Sequence, residues 1–197
     1  MTGFTIEKQD SHVLVRLHSE DGTNRLTRDV VLALNGAVTE LSLKPLPLII
    51  TGNRRFFSAG ADLNEISTLT GPSALEFARM GQGLMNAADA FPALVIAAID
   101  GYCMGGGLDL ALACDLRIAS KHAVFGHRGA ALGLITGWGG TQRLPRLVGE
   151  ARALEMFIAA EKLDAAHASR FGLIDAIADD PVATAIARIT RPKSAPE

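Results

Sequence analysis

Two apolar, strand-like runs, each leading through a glycine-containing turn into a helical pattern, most constrain what this chain can fold into. The first run spans residues 46–51 and is followed by a turn within residues 56–63. The second spans residues 93–99 and leads into residues 101–109, which contain consecutive glycines. Because the first N–H groups of a helix have no acceptor inside it, both turns should aim N–H donors at a common space.

The rest of the sequence alternates strand and helix patterns. Strand patterns occupy residues 4–7, 12–18, 46–51, 93–100 and 116–120, and helical patterns occupy residues 27–41, 73–89, 108–113, 141–147, 151–160 and 164–171. Thr27 is the expected N-cap of the first helix, and Ser73 with Glu76 reads as a capping box opening the second. Apolar strands alternating with helices predict an α/β fold with a largely parallel sheet.

Composition narrows the classes of function. The chain has 197 residues, 48% of them hydrophobic, which suits one globular domain with a sizeable core. A formal net charge of -2 gives no electrostatic case for binding nucleic acid or a membrane surface. Cys103 and Cys114 form no ligand cluster, so we expect reduced thiols, no metal site and a cytoplasmic protein. The N-terminus lacks a signal-peptide pattern, and residues 93–99 are too short to span a bilayer.

The glycine-rich turns do not match the common phosphate-binding or hydrolase motifs. Residues 101–107 lack the GxGxxG spacing of a dinucleotide fold and the Lys-Ser/Thr pair of a P-loop. No GxSxG nucleophile motif occurs. The remaining interpretations are tight turns with close helix packing, or two N–H donors that meet as an oxyanion hole for a thioester carbonyl.

Several segments resemble, in order, those of the crotonase family, the enoyl-CoA hydratase/isomerase superfamily. They lie at residues 24–27, 57–63, 101–109, 113–119, 125–126, 139–145 and 171–175, so that the resemblance covers roughly residues 4–180. It implies the ClpP/crotonase-type ββα spiral with mainly parallel sheets. It also implies an acyl-CoA thioester as substrate, no cofactor beyond the coenzyme A that the substrate carries, and a homo-oligomer, either a trimer or a dimer of trimers.

The same resemblance implies roles for particular residues. The oxyanion donors would be the backbone N–H groups of Ala61 and Gly106. The stretches that hold coenzyme A in the family map to Asp21, Gly22, Thr23, Ala59, Ala61, Asp62 and Leu63. A crotonase-like core is expected over residues 1–190 and a disordered tail over residues 191–197, with the family's usual C-terminal helical region largely absent.

The acid–base positions depart from the family pattern. Hydration of an enoyl thioester needs one group to activate water and one to deliver a proton. The first family glutamate maps to Asp109, a carboxylate shorter by one methylene, and the second maps to Gly129. We consider His127 as the substitute, because residues i and i+2 of an extended segment face the same side and could share the space left at Gly129. A surface or hydrogen-bonded histidine, and a structural Asp109, are the competing interpretations.

Two related activities fit this pattern less well. Dienoyl-CoA isomerases resemble the chain at Asp109, but their other acids map to Gly129 and Gly137. Dihydroxynaphthoyl-CoA synthases share the glycine at Gly129, while their downstream serine and aspartate map to Leu134 and Thr136.

Two further side chains have open interpretations from the sequence. Trp138 either walls the acyl pocket or packs in the core. Arg128 either binds a substrate carboxylate or faces solvent.

These observations predict a crotonase-family lyase or isomerase of fatty acid metabolism, nominally an enoyl-CoA hydratase/isomerase, that stabilises a thioester enolate. Ala61, Gly106, Asp109 and His127 are its predicted catalytic residues. Decarboxylation or C–C hydrolysis in the same oxyanion hole is one alternative. A non-catalytic acyl-CoA-binding protein is another.

Overall fold

The computed structural model describes residues 3–190, so the predicted disorder of residues 191–197 lies outside the described residues. The strands are β1 (Phe4–Lys8), β2 (Val13–Leu17), β3 (Arg25–Leu26), β4 (Leu48–Thr51), β5 (Phe56–Ser58), β6 (Gly60–Ala61), β7 (Val95–Ile99), β8 (Tyr102–Met104), β9 (Leu116–Ala119), β10 (Val124–Gly126), β11 (Leu163–Asp164) and β12 (Ala176–Ile177). The helices are α1 (Arg28–Leu41), α2 (Leu63–Ser67), α3 (Gly71–Asp89), α4 (Gly106–Leu112), α5 (Gly140–Val148), α6 (Glu150–Ala159), α7 (Ala165–Arg170) and α8 (Pro181–Thr190), with a 3-10 turn at Ala130–Leu132.

The strands form two main sheets. The larger has six strands in the order β1-β2-β4-β7-β9-β12, and all neighbours in it are parallel except β1 and β2. The smaller has four strands in the order β11-β10-β8-β5, with only β11 antiparallel to its neighbour. Along the chain, a strand of the large sheet is followed by a short strand and then a helix, repeatedly. This confirms the α/β prediction with mainly parallel sheets and the ββα spiral.

Both faces of the large sheet are buried, which explains why its strands read as continuous apolar runs. In β7, Val95 and Ile99 point into the main core between the sheet and helices α1, α3 and α4. Ile96 and Ala98 point to the opposite face, where Ala185 of α8 covers them. The period of two along a strand thus assigns each apolar side chain to one of two cores.

A buried arginine fastens the C-terminal elements to the large sheet. The Arg117 side chain of β9 donates from Nε to the Leu173 carbonyl at 2.9 Å and from Nη1 to the Cys114 carbonyl at 2.7 Å. Its Nη2 pairs with Asp175 Oδ2 at 3.1 Å, and the same carboxylate oxygen accepts the Arg117 backbone N–H at 2.7 Å. The guanidinium therefore bridges β9 and the segment that leads into β12 and α8.

The N-terminal signals of the helices were predicted with one error. Thr27 caps α1 as expected, through its side chain. The capping box of α3 is formed by Thr70 and Ser73, not by Ser73 and Glu76, because α3 begins before Ser73 with Pro72 in its first turn. Proline is favoured there, since its missing N–H would have no helical acceptor.

The ends of the other predicted elements shift by at most about two residues. Reading from the sequence missed the short strands of the small sheets, β12 of the large sheet, and also α2 and α8. Segments of two or three residues are too short to show a periodic pattern.

Candidate active site

Two backbone segments meet where the sequence predicts an oxyanion hole. A Cβ atom added to Gly60, in β6, would lie 2.6 Å from the Met104 carbonyl oxygen and 2.9 Å from the Gly106 nitrogen. Gly60 also has φ +91°, a conformation that side chains disfavour. Glycine at this position therefore lets β6 and the turn between β8 and α4 approach one another closely.

The two predicted donors border the same cavity. Gly106 is the first residue of α4, so its N–H has no acceptor within the helix. The preceding Gly105 adopts φ +50° and ψ -122°, which allows the chain to turn sharply into the helix. The Ala61 nitrogen lies 3.3 Å from the position that a Gly106 Cβ would take. Ala61 and Gly106 are thus adjacent, as an oxyanion hole requires.

This cavity has a volume of about 550 Å³ and is mainly apolar. Its polar groups include Asp109, His127 and Thr136, while Arg128 and Lys162 contribute exposed side chains to its lining. A largely apolar cleft with a few converging polar groups is typical of a small-molecule site.

Asp109 projects from α4 into this cavity and is only 1% exposed. The Thr136 hydroxyl donates a hydrogen bond to its Oδ2 atom. A Cβ at Gly140 would lie 2.2 Å from Oδ1, so glycine there leaves room for the carboxyl group. Burial raises the pKa of Asp109 to about 7, although Thr136 and Arg143 act in the opposite direction. A carboxyl group that titrates near neutral pH can both take up and release a proton.

His127 is an ionisable neighbour of that carboxyl group. Its Nε2 atom lies 3.3 Å from Asp109 Oδ1, and the His127 side chain is 4% exposed. Within residues 3–190, neither of these two atoms makes a hydrogen bond. Burial lowers the pKa of His127 to about 4, so its imidazole is neutral at pH 7. The two ionisable side chains therefore lie beside each other in the buried part of the site.

The structure corrects the reason for considering His127. Its side chain turns toward Asp109 and not toward vacant space at Gly129. The extended segment ends with β10 at Gly126, and Gly129 has φ -57° and ψ -43°, so the i, i+2 argument does not apply. Gly129 lines the cavity, but a side chain there would not fit without a shift, because a Cβ would lie 2.7 Å from the Leu134 carbonyl oxygen.

The substitution Gly129→Glu should therefore lower the melting temperature without adding acid–base activity. The Gly129 carbonyl accepts the N–H groups of Leu132 and Leu134, each at 2.8 Å, and the new side chain would disrupt this turn. Thermal unfolding and hydration of crotonyl-CoA measure the two effects. Ala130→Glu, at an exposed neighbouring position, is the matched control for added charge. A Gly129→Glu protein as stable as wild type and more active would contradict this expectation.

The predicted coenzyme A stretches lie next to the cavity and to each other. Ala59, Ala61 and Leu63 line the cavity. The Ala59 N–H donates to the Thr23 carbonyl at 2.9 Å, which ties residues 21–23 to this wall. Arg25 then pairs with both Asp21 and Asp62. Residues 21–23 therefore lie beside the wall formed by residues 59–63, and their contact with coenzyme A stays a prediction.

Asp21 holds the turn at residues 21–23 in shape. Its Oδ1 accepts hydrogen bonds from the Thr23 amide, the Thr23 hydroxyl and Ser19. These bonds hold the pKa of Asp21 well below its usual range.

The structure also gives the positions of three other side chains at the cavity. Trp138 both lines the cavity and is buried, so the two interpretations from the sequence hold together. Arg128 is exposed and lines the same cavity. The contact of Thr136 with Asp109 was not anticipated, since no local pattern links residues so far apart in the sequence.

The chain is similar to known proteins over most of its length. The sequence model of the enoyl-CoA hydratase/isomerase family matches residues 7–193. The crotonyl-CoA hydratase of Syntrophomonas wolfei is 38% identical over 175 residues, covering 87% of this chain and 67% of that protein. A probable enoyl-CoA hydratase of Bacillus subtilis is 42% identical over 160 residues, covering 80% of this chain and 61% of that protein.

The structure of an enoyl-CoA hydratase from Bacillus anthracis superimposes with a TM-score of 0.89 at 32% identity, covering 95% of this chain and 75% of that one. The chain belongs to the enoyl-CoA hydratase/isomerase family, and it spans about two thirds of the length of the curated relatives it matches.

The described residues were also compared with the requirements of membrane-spanning helices and of metal sites. None of the helices within residues 3–190 has the length and apolar character needed to cross a membrane. In the same part of the chain, no three His, Cys, Asp or Glu side chains gather as a metal site would require.

Proposed function

We propose that this protein adds water to an enoyl-CoA thioester, with Asp109 and His127 as its acid–base pair. The observation that carries the proposal is one cavity that brings together the Ala61 and Gly106 backbone and the buried Asp109 carboxyl group. The names of the matched relatives, a crotonyl-CoA hydratase and enoyl-CoA hydratases, favour this reaction over others of the family.

The reaction follows from the placement of these groups. The thioester oxygen accepts the Ala61 and Gly106 N–H groups, which stabilise the negative charge that develops as the enolate forms. The water oxygen bonds to the β-carbon, and the proton that water loses passes to the Asp109 carboxylate. The enolate electron pair then takes a proton at the α-carbon from the protonated member of the Asp109–His127 pair. In sum, one water molecule adds across the double bond.

The apolar lining of the cavity supports the electrostatic part of this mechanism. With little competing water, two backbone dipoles interact more strongly with the enolate oxygen than they would in solution. In other enzymes, loss of one such donor reduces the rate about 10²- to 10³-fold.

Turnover of crotonyl-CoA by the purified chain, followed as loss of the enoyl absorbance, tests the proposal. We expect hydration, with 3-hydroxybutyryl-CoA as product. Calorimetric titration with saturated butyryl-CoA measures binding in parallel and needs no chemistry. A protein that binds butyryl-CoA but leaves crotonyl-CoA unchanged would contradict the proposal and favour an acyl-CoA-binding role.

A further inference from the structure

We propose that Trp138 is a specificity-determining residue, which restricts the acyl group to apolar chains that are unbranched at the α-carbon. The inference takes the position of the thioester in the cavity from the proposed function. It concerns binding, and so it can be tested without turnover.

The Trp138 indole is held in one position from several sides. It is 3% exposed, and its Nε1 donates to the Phe77 carbonyl at 3.2 Å. The Phe77 and Trp138 rings lie 5.2 Å apart. On α3, a Cβ at Gly81 would lie 2.2 Å from the indole, so the ring packs directly against that helix backbone. A side chain held in this way cannot move aside for a larger ligand.

The same indole borders the oxyanion hole. A Cβ at Gly106 would lie 2.5 Å from Trp138 Cζ3 and 3.3 Å from the Ala61 nitrogen. The ring edge and the Ala61 donor therefore both approach Gly106 at the entrance of α4. A thioester oxygen bound by the two N–H groups would lie beside the indole.

The indole also lies along the path from the oxyanion hole to the acid–base pair. Gly106 and Asp109 share one side of α4, because residues i and i+3 of a helix are neighbours. Thr136 and Gly140, which both approach Asp109, flank Trp138 in the sequence. The α-carbon must lie between the bound carbonyl group and Asp109, so it passes the indole at close range.

This wall disfavours a methyl group on the α-carbon. An additional methyl group directed at a rigid indole would overlap with it, and one methylene in a well-formed pocket changes specificity about 10- to 200-fold. A straight chain avoids the overlap and continues along the cavity.

Beyond the α-carbon the cavity accepts apolar chains. Ile66, Leu69 and Ala74 line it near α2 and α3, and Leu134 and Ile135 contribute further apolar lining. Apolar atoms gain free energy there in proportion to the area they bury. The bound acyl group is therefore a linear hydrocarbon chain.

Calorimetric titration with butyryl-CoA and isobutyryl-CoA tests the assignment, because the two ligands are isomers that differ only in α-branching. Wild type should bind butyryl-CoA at least about 10-fold more tightly. Trp138→Ala should reduce this ratio to about 2-fold or less by making space, and Trp138→Phe should give an intermediate ratio. Leu154→Ala, at an exposed position outside the cavity lining, is the control and should leave the ratio unchanged.

The outcomes separate this inference from the proposed reaction. Equal affinity of wild type for the two isomers, binding of neither, or an unchanged ratio in Trp138→Phe would overturn it. Trp138→Phe decides the matter if Trp138→Ala fails to fold. An inert protein that still prefers butyryl-CoA would overturn the hydratase proposal and leave the role of Trp138 intact, and hydration without this preference would do the reverse.

Discussion

Replacing Asp109 by asparagine should lower the hydration rate about 10²- to 10⁴-fold while leaving the affinity for butyryl-CoA within about 2-fold of wild type. Asparagine has nearly the same shape and can still accept the hydrogen bond from Thr136, but it cannot carry a proton. Initial rates with crotonyl-CoA and calorimetric titration with butyryl-CoA measure the two quantities. A variant with wild-type turnover would contradict the assignment of Asp109.

The pH dependence gives a second readout on the same residue. Because burial raises the pKa of Asp109 to about 7, kcat/KM should rise with pH up to about 7 when the carboxylate activates water. The residual activity of Asp109→Asn should lack that break.

His127→Gln is the companion variant for the acid–base pair. It should lose activity too, but the break near pH 7 should remain, because burial and not His127 is the main cause of the raised pKa of Asp109. Loss of the break in this variant would show that the two side chains titrate as one unit.

Replacing Arg117 by methionine should lower the free energy of unfolding by about 2–5 kcal/mol, mainly because two carbonyl groups lose their donors. Methionine fills part of the space but leaves the Leu173 and Cys114 carbonyl groups without their donors. It also leaves Asp175 without its charge partner. Urea denaturation followed by circular dichroism measures the loss.

Arg146→Met is the matched control for that experiment. Arg146 is exposed, and within residues 3–190 its guanidinium donates to the Gln142 carbonyl one helical turn away. Its replacement should change stability by less than about 0.5 kcal/mol. A similar small change in Arg117→Met would mean that the guanidinium does not hold the C-terminal elements in place.

The sequence predicted the backbone of the site better than its side chains. Glycine positions such as Gly60 and Gly106 allow close approaches of the backbone. The strand-to-turn patterns predicted that the two turns face a common space, and the family resemblance supplied Ala61 and Gly106 as the donors. The apolar runs predicted the long strands and a largely parallel sheet.

The side-chain partners of Asp109 depend on packing that no local pattern encodes. His127 reaches Asp109 because β10 lies beside β8 in the small sheet, and Thr136 arrives through the irregular segment before α5. The surroundings of Gly129 likewise depend on packing that the local sequence does not reveal. The absence of a side chain suggested open space, and Gly129 does line the cavity, but the Leu134 carbonyl lies in the direction that a Cβ would take.

The Asp109–His127 pair also bears on how the folded protein exchanges protons with its surroundings. The pKa of Asp109 is raised from 3.8 to about 7, so its contribution to stability is greatest below pH 3.8 and is lost as pH rises toward 7. The pKa of His127 is lowered from 6.5 to about 4, so its contribution is greatest above pH 6.5 and is lost as pH falls toward 4.

Between about pH 4 and 6.5 the two effects oppose each other. On unfolding, Asp109 releases the proton that it holds in the native state, and His127 takes one up. The pair therefore exchanges no net proton with solvent across that range, and mild acid leaves its contribution to the stability of the native protein unchanged. Two ionisable groups can thus line the cavity without making the free energy of unfolding depend on pH in mild acid.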